Sequence, residues 1–284
     1  MSVSGAEQVV PVAGMPCWVN LMVGDLANAR AFYSAVLGWE FRRSSLGNQF
    51  VVASAGGLPV AGIGERRPGL APASVWTPYF AVRDADVTAA RIQERGATLA
   101  VGPIPLGRGR AGLAADPDGA AFGFWEGPAL AWEPGEGGGA PARLDLQTRD
   151  AFDAAKFYGE VFGWATEEGT DVAYRDHHVV VERDTHPVLS LRGGGAQNSE
   201  QAQLRPRWLV NFPVADVDRA VAAAIGAGGT RPQPSATAWA PKGSPEPCRT
   251  RTAVCSPSAT EAAETRQCRP LSGRLRSLGR CAGR

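Results

Sequence analysis

The three histidines, His177, His178 and His186, are the side chains most suited to proton transfer or metal ligation near neutral pH. His177 and His178 are adjacent in a stretch that reads as a strand, so they face opposite sides and do not chelate together. His186 precedes Pro187 and reads as part of a turn. All three read as solvated or edge residues. Asp116-Pro117-Asp118-Gly119 brings two carboxylates close in sequence, but its composition is that of a tight turn. Gly107-Arg108-Gly109-Arg110 lacks the following helix that a phosphate loop needs. Cys17 lies in an apolar strand and reads as inert core. Cys248, Cys255, Cys268 and Cys281 lack the close CxxC pairs of a zinc site. The most informative short stretch is Pro16–Val23, PCWVNLMV. Its alternation puts Trp18, Asn20 and Met22 on one face and Cys17, Val19, Leu21 and Val23 on the other.

The elements that would position such a face come as a repeat. Residues 25–40, DLANARAFYSAVLGWE, are echoed by residues 150–165, DAFDAAKFYGEVFGWA. Each copy opens on an aspartate fit for an N-cap (Asp25, Asp150). Ala29, Tyr33, Val36 and Leu37 recur at helical spacing. Gly38 and Gly163 stand where a left-handed C-cap is wanted. Tyr33 and Tyr158 read as core, not as catalytic groups. Strands are expected at 40–43, 49–54 and 60–64, giving a β-α-β-β-β module. A second module follows a Pro-rich link at 68–72. Its strand is at 75–82, its helix at 84–95, and further strands are at 98–101, 110–115 and 121–125.

Residues 129–141 are rich in Gly and Pro and read as a linker between a first domain, 14–128, and a second, 142–230. The second opens on ARLDLQT, followed by the helix from Asp150. Strands are expected at 164–166, 177–182 and 188–191, then at 207–214 before a helix from Asp216. After Thr230 the periodicity stops. Residues 231–284 contain no Ile, Phe, Tyr or Met. This tail reads as out-of-frame translation of GC-rich DNA, with ordinary disorder as the alternative. The second domain is then incomplete. Three missing strands would remove roughly 10–15 kcal/mol of apolar burial, against about 5–15 kcal/mol for a whole domain. It is expected to be marginal unless it leans on the first.

The net charge of +1 conceals an asymmetry, because the tail holds ten Lys and Arg against three Glu. The first 230 residues are therefore acidic, which argues against nucleic acid as a partner. No stretch approaches the roughly 18 apolar residues of a membrane span. The opening residues do not read as a signal peptide. A cytoplasmic protein is expected, and exposed sheet edges leave room for a homodimer.

Paired β-α-β-β-β modules, the A-x-x-FY-x-x-V-(L/F)-GW helix and a DPDG turn before a last strand resemble the vicinal oxygen chelate superfamily, the glyoxalase, bleomycin-resistance and extradiol-dioxygenase group. The CWVNL and ARLDL openings of two tandem domains are similar to actinobacterial glyoxalase-like proteins often labelled hydroxylase. The resemblance implies an α+β fold of two open-barrel domains. It also implies a divalent metal held by His or Glu from the first and last strand of each module. Carried over by position, those ligands fall on Trp18, Thr77, Gly123 and the segment 60–64 in the first domain. In the second they fall on Arg143 and Leu209. None of these side chains is a metal ligand. No metal or other cofactor is expected, unless the carry-over is displaced towards Glu65, Glu126, His177 or His178.

What remains on the face that would have carried the metal is a candidate small-molecule pocket: aromatic walls with a few polar groups. Trp18, Asn20, Met22, Thr77, Tyr79, Gly123 and Trp125 line it in the first domain. Arg143, Asp145, Gln147 and Asn211 take matching places in the second. Gly123 is expected to leave space where the superfamily places Glu. Three readings follow: a metal-free binding protein for an aromatic or natural-product ligand, a lyase-, dioxygenase- or hydroxylase-type enzyme working through a displaced metal or through Asn20, Tyr79 or Asp145, and a degenerate fragment without activity.

Overall fold

The computed structural model describes residues 8–9, 11–66, 76–130, 143–175, 178–193, 205–229 and 251–253. A short pair, β1 (Gln8–Val9) with β10 (Ala129–Leu130), ties the start of the chain to the end of the first unit. Between them lie two modules. The first is β2 (Pro16–Val23), α1 (Leu26–Leu37), β3 (Glu40–Ser44), β4 (Gly47–Ala55) and β5 (Leu58–Glu65). The second is β6 (Trp76–Ala81), α2 (Ala85–Glu94), β7 (Thr98–Leu106), β8 (Gly109–Ala115) and β9 (Ala121–Glu126). The chain continues as β11 (Arg143–Gln147), α3 (Ala151–Phe162), a 3-10 turn at Trp164–Thr166, β12 (Thr170–Arg175), β13 (His178–Arg183) and β14 (His186–Arg192). It ends in β15 (Arg207–Val214), α4 (Val217–Gly226) and β16 (Arg251–Ala253).

Local chemistry sets the helix ends. Asp25, Asp84, Asp150 and Asp216 each precede a helix, and each side chain accepts a backbone N–H of the first turn. Gly38 and Gly163 close α1 and α3 in the left-handed conformation, at φ 67° and 73°. The strands join as one eight-stranded sheet, β3-β4-β5-β2-β6-β9-β8-β7, and a six-stranded one, β12-β13-β14-β11-β15-β16. In the first sheet each module sets its opening strand parallel to its closing strand, β2 with β5 and β6 with β9, and β2 joins β6 antiparallel. The second sheet repeats this with β11 parallel to β14 and antiparallel to β15. The fold is α+β, and neither sheet closes into a barrel.

The two sheets share one core. Phe80 of the first stacks on Phe162 of α3, ring centroids 4.5 Å apart, and lies 5.5 Å from Trp208 of β15. Phe122 meets Phe157, Tyr158 and Phe162. Trp39 and Trp76 receive Phe212 at 4.9 and 5.2 Å. Every one of these residues is buried. Aromatic pairs of this kind add about 0.5–1.5 kcal/mol each beyond the area they bury. Polar contacts cross the same boundary: Trp164 Nε1 donates to the Gly14 carbonyl at 2.9 Å, and Thr148 Oγ1 donates to Asp118 at 2.7 Å. The second unit, with six strands among the described residues, leans on the first.

Three local readings need correction. Residues 164–166 are a 3-10 turn and not a strand. The GW echo misleads there, because Trp39 leads straight into β3 whereas Trp164 turns to reach Gly14. The following strand, β12, was not foreseen. His186 opens β14, and the turn before it is made by Asp184 and Thr185, at φ 48° and 70°. The expectations for His177 and for residues 231–284 fall outside the described residues, apart from Arg251–Ala253.

Asp116 does more than make its turn, in which Gly119 N–H donates to the Asp116 carbonyl at 2.9 Å. Its buried carboxylate accepts from Ala120 N–H at 2.8 Å and from the Tyr158 hydroxyl of the second unit at 3.0 Å. Burial pushes the Asp116 carboxyl up from its ordinary 3.8, against those hydrogen bonds. A raised folded value means that its contribution to stability is complete below the ordinary carboxylate range and is lost as pH rises through the folded value. Asp116→Asn is therefore expected to flatten part of the fall in melting temperature between acid and neutral pH. Parallel pH–melting profiles of the two proteins check this.

Candidate functional site

The pleat fixes which residues face away from the shared core. On β9, Phe122 and Phe124 are buried against that core, so Ala121, Gly123 and Trp125 point the other way. Register then lines residues up across strands. Trp18 is opposite Tyr79, and Tyr79 opposite Gly123. Asn20 lies between Gly62 on one side and Thr77 on the other, and Met22 is opposite Gly64. The seven candidate residues of the first sheet thus share one open face. Trp18, Asn20, Thr77, Tyr79 and Trp125 are half-buried there, and Met22 is 42% exposed.

Side chains already lie over the glycine backbones. A Cβ built on Gly123 would sit 2.3 Å from the Tyr79 ring, so the space expected beside Gly123 is taken by Tyr79. Phe50, which sequence reasoning missed, covers Gly62 and Gly64 in the same way, with Met22 beside it. The pairing of two glycines one residue apart in a strand, Gly62 and Gly64, was the available signal for a large neighbour. Gly123→Ala is expected to drive the Tyr79 ring aside at a cost of about 1–3 kcal/mol, measured as a lower denaturant midpoint.

Hydrogen bonds organise the face. Trp18 Nε1 donates to Asn20 Oδ1 at 2.7 Å. The Asn20 side chain also favours the ionised form of the Tyr79 hydroxyl. With Oδ1 engaged by Trp18, the amide nitrogen is the group left to face the phenol oxygen. Burial pushes the Tyr79 phenol up, and the Asn20 contact opposes this only in part. Tyr79 is therefore a protonated hydrogen-bond donor at neutral pH, not a base. Cys17, on the core side of the same strand, is buried, and burial pushes its thiol up to about 12. It is unreactive, as its place in the strand suggested.

Arg143, Asp145, Gln147 and Asn211 lie on the second sheet, whose core face packs on the first, so they form a separate site. Asp145 is 5% exposed. It accepts from Arg143 Nη2 and Nε at 3.0 and 3.1 Å, from Asn211 Nδ2 at 2.8 Å, and from the Ser190 hydroxyl. Both its oxygens are committed, which makes it an anchor for its neighbours. Ser190 and Arg192 were missed, although the alternation of HPVLSLR already put them on one face.

The donor set does not fit a superfamily metal. The positions that would ligate it present an indole, a hydroxyl, glycines and a guanidinium. The indole N–H is itself a donor to Asn20. Among the described residues, no three His, Cys, Asp or Glu side chains gather in a way that could hold a metal ion. Glu126 is otherwise engaged: it accepts the Ala85 N–H at the start of α2 at 2.8 Å and lies 3.6 Å from Arg110.

Residues 17–124 match the Glyoxalase/Bleomycin resistance protein/Dioxygenase superfamily, and residues 143–246 match a glyoxalase-like domain. Over 245 residues the chain is 32% identical to the anthracycline biosynthesis protein DauV of Streptomyces sp. (strain C5), covering 76% of this chain and 83% of that one. The chain belongs to this superfamily. A second superfamily relative, the anthracycline biosynthesis protein DnrV of Streptomyces peucetius, is 31% identical over 240 residues, with the same 76% and 83% coverage. Among solved structures, the Mn(II)-bound glyoxalase from Novosphingobium aromaticivorans aligns with a TM-score of 0.51 at 18% identity, covering 77% of this chain and 72% of that one. That likeness is one of superfamily fold. No helix among the described residues is long and apolar enough to cross a membrane.

Proposed function

We propose that this chain is a small-molecule-binding member of the superfamily that seats a planar aromatic ligand on the open face of its first sheet, without a metal. The observation that carries this reading is the group Trp18, Asn20 and Tyr79, in which Trp18 is hydrogen-bonded to Asn20 and stands opposite Tyr79, on the strands that would otherwise bring metal ligands together. Trp18, Tyr79 and Phe50 offer ring faces, and Met22 a polarisable edge. Asn20, Thr77 and the Tyr79 hydroxyl offer the few polar contacts that would orient a carbonyl or phenol. Two relatives take their names from anthracycline biosynthesis, and a fused-ring quinone is the kind of ligand this face suits.

Thermal melting with an anthraquinone, with and without a strong chelator, tests the proposal. A saturable rise in melting temperature that the chelator leaves unchanged is expected, since a ligand stabilises by RT ln(1 + [L]/Kd). A rise abolished by chelator, or about one metal ion per chain surviving dialysis, would overturn the metal-free reading. Turnover of the ligand would favour the second reading, an enzyme that uses the Asn20–Tyr79 pair to donate a proton. A homodimer through the sheet margins at β3 or β7 remains part of the proposal, and light scattering of the purified chain checks it.

A further inference from the structure

Gly62 and Gly64 stand one residue apart on β5, on the open face of the first sheet. Glycine inside a strand weakens it, and it recurs where a ligand or another backbone comes close. β5 is an inner strand, with β4 on one side and β2 on the other. Register places Val52 and Asn20 beside Gly62, and Phe50 and Met22 beside Gly64. The Phe50 ring covers both glycines. Its Cδ2 would lie 2.9 Å from a Cβ on Gly64, and its Cζ would collide with a Cβ on Gly62, as would Asn20 Oδ1. The ring therefore lies lengthwise along β5, with its tip towards Asn20. Two residues of strand span about 6.8 Å, close to the length of one six-membered ring.

This ring is held less firmly than those of the core. Phe80, Phe122 and Phe162 are each fixed by several ring contacts. Phe50 is half-buried and, among the described residues, has no ring partner. It rests on glycine backbone beside Met22, whose unbranched side chain gives way easily. The ladder at its root is also interrupted. Arg43 pairs with Val51, but Ser44 pairs with Gly47, so Asn48, Gln49 and Phe50 have no counterpart on β3. A bulge of this kind bends the strand and re-aims a side chain, and bulges recur next to active sites. Rotation about the Cα–Cβ bond would lift the ring off β5 and stand it at the β4 margin. That would uncover a strip of backbone beside Asn20.

Building on the aromatic-ligand reading, we infer that Phe50 is a displaceable plug: its ring holds the seat over Gly62 and Gly64 that one ring of the ligand takes on binding, and it swings out to become a wall of the site. Stopped-flow mixing of the full chain with an anthraquinone, followed by quenching of tryptophan fluorescence, tests it. In the parent chain the observed rate is expected to level off with rising anthraquinone, at the rate at which the ring swings out. Phe50→Ala is expected to remove this ceiling and to bind about tenfold tighter, the factor regained when a seat open one-tenth of the time stays open. Phe50→Leu still covers the glycines in part and should tighten binding by roughly threefold, on the same reasoning. Folded variants that bind no tighter than the parent would overturn the plug and leave the aromatic face standing, with Phe50 a fixed wall of it. Binding by none of the three proteins would overturn the aromatic-ligand reading and the plug with it. Binding seen only after Phe50→Ala would support both. Phe50→Leu decides alone if Phe50→Ala does not fold.

Discussion

Replacing Phe80 by alanine will destabilise both halves of the chain together. Phe80 is fully buried and meets Tyr158, Phe162 and Trp208, all from the second unit. Truncating such a ring costs about 3–5 kcal/mol, transfer and cavity terms together. Against a typical total of about 5–15 kcal/mol, that is about a fifth or more. The second unit should suffer first. Its α3 spends Phe157, Tyr158 and Phe162 on the first sheet, so its own sheet buries less alone. Two measurements check this: the denaturation midpoint, and limited proteolysis of residues 143–229. A variant that loses a few tenths of a kcal/mol, or a second unit that melts separately and unchanged, would show that the halves fold independently.

The second large effect is on ligand binding. Trp18→Ala removes the widest ring of the proposed aromatic face and also the donor that fixes Asn20. A stacked aromatic contact contributes about 0.5–1.5 kcal/mol beyond its buried area, and burial of the ring adds a comparable amount. A loss of roughly ten- to a hundredfold in anthraquinone affinity follows, at about 1.4 kcal/mol per factor of ten. Stability should fall much less, because Trp18 is only half-buried. Trp18→Phe should restore much of the stacking but not the hydrogen bond. If Trp18→Ala binds as tightly as the parent, the ligand is not on this face.

The candidate residues were legible in part, and for one reason. Trp18, Asn20 and Met22 alternate within one strand, and alternation is a local property. Their partners Thr77 and Tyr79 followed from the repeat of the module. What they do to one another was not legible. That the Tyr79 ring lies on Gly123 depends on the β6–β9 register. Phe50 reaches Gly62 and Gly64 through the β4–β5 register. Nor were the partners of Asp145 legible, because Ser190 and Asn211 arrive from strands far along the chain. The register that sets His178 beside Arg192 and Arg192 beside Gln147 joins three strands, and no segment of sequence contains it.

By itself the sequence determined the modules, their capped helices and their α+β class. All of these rest on residue type and on periods of two or 3.6 residues, which are felt within a few residues. Only the tertiary structure decided that the two sheets share one core and that Trp164 turns back to Gly14. It also set the aromatic residues of the first sheet and the Arg143–Asp145–Asn211 cluster of the second on separate faces. These depend on which strand lies beside which and in what register, and such pairings are settled by contacts between residues distant in the chain.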